Sequence, residues 1–109
     1  MPEPEKLVAR RLRRWFREYN DRYFGGALPL PTRVRLASLE DCYGDCDKIG
    51  GRFHLRIDRV NCSREKVRRA TLLHEMAHVK LWDVHRGHGR IFDTEMQRLA
   101  VEGAMRGLW

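Results

Sequence analysis

The sequence is poor in cysteine: Cys42, Cys46 and Cys62 are an odd number and too few to staple a small fold with disulfides. It has no apolar run long enough to span a bilayer. Its first residues, Pro2-Glu3-Pro4-Glu5-Lys6, are polar and lead into no apolar segment, so no secretory signal is expected. No internal repeat or low-complexity tract is visible. Acidic residues are in deficit, 15 against 22 Lys and Arg, which leaves a net charge of +7. That excess favours polyanions, whether nucleic acid or an anionic membrane surface, without choosing between them. A cytoplasmic or nucleoid-associated protein is the expectation. With 109 residues, the chain reads as one domain, 1–109, that buries roughly 65% of its unfolded surface around one modest core.

Hydrophobic periodicity gives the elements. Residues 5–24 read as an amphipathic helix: Val8, Leu12, Trp15, Phe16, Tyr19 and Tyr23 fall within one arc of roughly 100°. Lys6, Arg10, Arg13, Arg14 and Arg17 lie opposite. Gly25-Gly26 stops this helix, and Leu28-Pro29-Leu30-Pro31 prevents its continuation. Residues 33–38 alternate as a strand, and residues 52–58 alternate more clearly, with Phe53, Leu55 and Ile57 on one face and Arg52, His54, Arg56 and Asp58 on the other. A short middle strand is expected at Cys42–Cys46, with Gly50-Gly51 turning into the last one. Three strands with one polar face predict a small antiparallel sheet. Ser63 is the expected N-cap of a second helix, 64–83, with Val67, Ala70 and Leu81 on one side and Leu72, Met76 and Val79 behind. A helix apolar on most of its circumference is central and buried. A third helix, 90–106, lines up Phe92, Met96, Leu99 and Gly103. The fold class is α+β.

The second helix carries His74-Glu75-Met76-Ala77-His78, and His88 follows in Gly87-His88-Gly89. Residues four apart stand one above the other on a helix, so His74 and His78 present two imidazoles to one point. Such a pair with a third histidine suits one zinc ion per chain. Three neutral ligands leave the ion's charge uncompensated, so water in the fourth position ionises near neutral pH. Glu75, about 100° round the helix from His74, is placed as general base. The chemistry that fits is peptide-bond hydrolysis.

His85 competes with His88 for the third ligand. His88 is preferred because its two flanking glycines let the chain turn back to the helix. His85 then reads as a loop residue and His54 as a surface histidine. Cys42 and Cys46 lack a second pair of thiols and read as half-buried strand residues. Met76 and Met96 read as core filler. The metzincin continuation fails, since Leu81 and Val84 stand where its glycine and third histidine belong.

In several segments, in order, the sequence resembles the SprT-like zinc metallopeptidase domain, the family of the protease Spartan. These are Tyr23-Phe24-Gly25-Gly26 with Leu28-Pro29, Cys42-Tyr43-Gly44-Asp45-Cys46, and Gly51-Arg52-Phe53-His54-Leu55-Arg56-Ile57. They continue with Thr71-Leu72-Leu73-His74-Glu75-Met76-Ala77-His78 and Gly87-His88-Gly89-Arg90-Ile91-Phe92. The resemblance implies a zincin-like fold in which His74, His78 and His88 bind zinc and Glu75 is catalytic. It also implies protein substrates near DNA. Spartan has a longer insertion between the active-site helix and the glycine turn, and many members add a zinc ribbon of paired cysteines that residues 1–109 do not contain.

Two functions from different classes follow: a zinc peptidase, or a non-catalytic, zinc-stabilised nucleic-acid-binding module of the same fold. Glu75 favours the first, because a structural zinc site needs no such carboxylate. The expected partners are a protein or peptide substrate, paired as an added strand on 52–58, and DNA along Lys6, Arg10, Arg13, Arg14 and Arg17. Trp15 and Tyr19 point away from that stripe, so no preference for single strands is expected. No membrane partner is expected, and the chain is expected to be a monomer.

Overall fold

A computed structural model describes residues 4–29 and 33–108. Leu30 and Pro31, named above as helix breakers, lie outside them. The order is α1 (Glu5–Tyr23), β1 (Arg33–Ala37), β2 (Gly44–Ile49), β3 (Arg52–Asp58), α2 (Glu65–Lys80) and α3 (Arg90–Val101). The α+β class and the helix count agree with the sequence reading. The helices end sooner than their periodicity suggests: α2 stops at Lys80, and Gly103 lies beyond α3 in a turn with φ of 95°. Ser63 is not the N-cap of α2; Arg64 holds that place, without a side-chain cap.

Helix α1 forms where an aromatic and aliphatic stripe finds a partner. Val8, Leu12, Phe16 and Tyr19 are buried, and the helix packs on β1 and α2. Its end is fixed by Gly25 and Gly26 at φ of 61° and 71°, and by the buried Asn20 amide, which bonds both backbone groups of Leu28. Helix α2 is central, packed against α1, α3, β2 and β3, with Leu72, Leu73, Met76 and Ala77 fully buried.

The sheet corrects two expectations. It is mixed rather than antiparallel, with order β1-β3-β2. Gly50 and Gly51, at φ of 59° and 80°, make the two-residue hairpin that pairs β2 antiparallel to β3. β1 pairs parallel on the other side of β3. Alternation decides which face of a strand is buried, not which neighbour it takes or in which direction. The second correction concerns substrate: β3 is the middle strand, hydrogen-bonded on both sides, so no added strand can pair with it. The edge beside α2 belongs to β2, which runs over Gly44–Ile49 rather than Cys42–Cys46.

Asp58, placed by alternation on the polar face, is buried at 2% exposure and ties the end of β3 to two loops. Its carboxylate accepts backbone N–H groups from Leu39 at 2.8 Å, Asn61 at 2.8 Å and Val60 at 3.2 Å. The bonds from Asn61 and Leu39 hold its carboxyl below the ordinary aspartate range. A folded-state pKa below the unfolded one stabilises the protein above the unfolded pKa, and that stability is lost as pH falls through the folded value. Asp58→Ala is therefore expected to lower the thermal midpoint at pH 7, with the gap to the parent protein narrowing below about pH 4. A gap independent of pH would show that the carboxylate charge contributes nothing.

Candidate metal centre

Helix α2 presents His74 and His78 one turn apart, and the loop before α3 brings His88 to the same point. His88 Nε2 stands 3.1 Å from His74 Nε2 and 2.9 Å from His78 Nε2. The ligand nitrogens of all three residues lie within 4.8 Å of one another. In a tetrahedral site with bonds of about 2.0–2.1 Å, ligand nitrogens are about 3.3 Å apart. The histidine spacing is close to that value. Burial, and then the neighbouring histidines, lower the pKa of His74 to about 4, and burial and His88 lower that of His78. Neutral imidazole is the form that ligates metal, so donor chemistry and spacing both fit an ion.

The cluster rests on Phe92, a buried residue of the first turn of α3. Its ring is stacked on His78 at 4.4 Å and lies 4.7 Å and 4.8 Å from the rings of His74 and His88. An apolar floor beneath three imidazoles restricts their rotation and excludes water from one side. Helix α3 is in turn clamped to α2 by buried Glu95, which accepts from Lys80 at 2.7 Å and from Arg98 at 2.8 and 2.7 Å. Burial alone would raise the pKa of Glu95, but the bonds from Arg98 and Lys80 hold it below the usual range.

His85 is not in the cluster. Its ring lies against the glycine turn: a Cβ on Gly87 or Gly89 would stand 3.4 or 3.5 Å from His85 Nε2, an ordinary contact. Neither glycine is left-handed, and Gly89, at φ of −170°, is extended backbone that any residue adopts. His88 rather than His85 joins the cluster, and left-handed backbone at the flanking glycines is not what brings it there.

Glu75 is buried at 4% exposure and faces the cavity beside the histidines. Burial first, and the nearby Asp45 charge second, push its carboxyl up to about 7. Asp45 is held across the hairpin by Arg56, its register partner, with Nε 2.8 Å from Oδ1 and a second guanidinium contact to Oδ2. Gly44 is the point where β2 meets α2. A Cβ there would come within 2.7 Å of Thr71 Cγ2, 3.0 Å of the Arg56 carbonyl and 3.4 Å of Glu75 Cγ, so only glycine permits this approach. Trp82 completes one wall, edge-to-face on Phe53 at 5.4 Å, with the Arg86 guanidinium 4.4 Å over its ring.

Sequence reasoning placed the three histidines and Glu75 together, and the structure groups them so. It missed Gly44, Asp45, Trp82 and Arg86 as cavity residues and Phe92 as the floor. Their signal lies in strand register and helix packing rather than in any local spacing. Cys42, Cys46 and Cys62 are free thiols outside the cluster, and burial, with Glu75 and Asp45 nearby, pushes Cys46 up to about 12. His54 is half-buried in the middle of the sheet. Lys6, Arg10, Arg13, Arg14 and Arg17 are exposed along α1, and Arg14 bonds Glu18 at 3.2 Å. No helix among the described residues is long and apolar enough to cross a membrane.

A three-histidine centre on a buried helix, open beside a sheet edge, has the form of a metallopeptidase-like domain. The chain belongs to the SprT-like family, which it matches over residues 12–106. No curated protein matches the chain at a significant level.

Proposed function

We propose that this chain is a zinc-dependent endopeptidase that hydrolyses extended polypeptide, with Glu75 as general base. The observation that carries the reading is the donor set. Among the described residues the cluster holds three imidazoles and no fourth protein ligand, with a buried carboxylate beside it in an open cavity of about 270 Å³. A structural zinc site is closed by four protein ligands, whereas a catalytic one keeps a position open.

When bound, zinc supplies Lewis acidity and makes water acidic near neutral pH. Glu75 then takes a proton from water and returns it to the leaving amine, a double role suited to a group whose pKa lies near the working pH. Substrate is placed by the edge of β2 rather than by β3: an extended peptide added there runs past Gly44, Asp45 and Cys46, which line the cavity. Arg86, exposed among the residues that line the cavity, offers a cation to the charge that develops on the attacked carbonyl. The test is cleavage of an unfolded protein by the zinc-loaded chain, abolished by a chelator and restored by zinc. Absence of cleavage with zinc bound would overturn the reading.

The exposed cations of α1 support a second role for the same protein, binding of DNA near its substrates. Lys6, Arg10, Arg13, Arg14 and Arg17 on a rigid helix displace counterions from a phosphate backbone without reading sequence. Three to five such contacts give a slope of log K against log salt of roughly −2 to −4. Reversing Arg10, Arg14 and Arg17 to Glu is expected to abolish DNA binding at low salt. Unchanged affinity would leave the stripe a solvated face.

A further inference from the structure

A second cavity, of about 560 Å³, opens next to the metal centre and shares Gly44, His74, Glu75 and His88 with it. Beyond those shared residues its wall changes character. Val67 and Ala70 come from α2, Met96 from α3, and Met105 and Leu108 from the segment that follows α3. The hydroxyl of Thr71, also in the wall, lies 3.5 Å from Cys62 Sγ. Glu75, at the shared mouth, is the acidic side chain of the lining.

We propose that this cavity is a specificity pocket that takes one large aliphatic or aromatic side chain of the substrate, next to the bond that is cleaved. The inference rests on the peptidase reading and deepens it. A strand lying along β2 projects alternate side chains to opposite faces, so as it passes Gly44 one of them is turned into this cavity. The apolar lining rewards leucine, methionine or phenylalanine, and burial of such a side chain is worth about ten- to a hundredfold over glycine or serine. Two methionines in the wall adapt their shape to different occupants, so the preference is for apolar bulk rather than for one residue. An acidic side chain loses its hydration against this apolar lining and is disfavoured. The volume is that of an open ligand pocket and imposes no upper limit at phenylalanine.

Two measurements test this. In the first, the zinc-loaded protein digests an unfolded protein mixture and the cleaved bonds are mapped by mass spectrometry. Leucine, methionine and phenylalanine are expected to be enriched about tenfold or more over glycine, serine and aspartate at one fixed position beside the cleaved bond. Ala70→Phe, which fills the pocket from half-way along α2, is expected to reduce that enrichment to about threefold or less. In the second, which needs no turnover, the methionine methyl signals are followed as leucine amide is titrated into the parent protein, with glycine amide as control. Met96 and Met105 are expected to shift, while Met76, fully buried in the core, does not. Cleavage with no side-chain preference, or no shift at Met96 and Met105, overturns the pocket and leaves the peptidase intact. Shifts at both methyls without cleavage support the pocket and overturn the peptidase.

Discussion

Glu75→Gln is expected to keep the metal and lose turnover by about 10²- to 10⁴-fold, the range of general-base catalysis. Glutamine preserves the length and shape of the side chain, so the contact with β2 at Gly44 survives, but its amide takes no proton. Glu75 is 4% exposed, so replacing a carboxylate by a neutral amide also removes the cost of burying charge. Stability should therefore hold or rise while activity falls. That split separates a proton-transfer role from a structural one. Cleavage at the parent rate with zinc still bound would remove Glu75 from the mechanism, and with it the strongest distinction between an enzyme and a zinc-stabilised binding module.

His88→Ala is expected to weaken zinc binding more than about 100-fold, because even the outer partners of a ligating histidine are worth roughly 10–100-fold in affinity. His88 is the histidine of the cluster supplied from outside α2, and its Nε2 is the one within 3.1 Å of both helix histidines. Its removal leaves a pair on one helix, too few for a stable site. His85→Ala is expected to retain zinc, with a loss of about tenfold at most, since His85 touches the turn that carries His88 without joining the cluster. Elemental analysis of the two dialysed variants decides this, and the reverse pattern would exchange the roles of the two histidines.

Local periodicity made much of this protein readable from its residues. A helical repeat places His74 and His78 on one face and Glu75 a quarter-turn away whatever the helix packs against, so the centre of the site follows from spacing. The amphipathic stripe of α1 and the buried character of α2 follow from the same regularity, as does the pairing of β2 with β3 through Gly50-Gly51. What tertiary structure decided has no local period. Whether β1 joins β3 in parallel depends on how the loop before β2 crosses the sheet, and the alternation of Val34 and Leu36 is the same either way. Which strand offers a free edge depends on that order, so the proposed place for a substrate strand is β2 rather than β3. Asp58 alternates like a surface residue, yet three backbone N–H groups from two loops converge on it. Phe92 has the spacing of an ordinary core residue and becomes the floor of the metal centre only because Glu95 clamps α3 against α2. Met96, by its spacing a piece of core, lines a cavity because the segment after α3 leaves a gap there. Chemistry carried by one element is written in its sequence; a cavity belongs to the space between elements, and only their packing defines it.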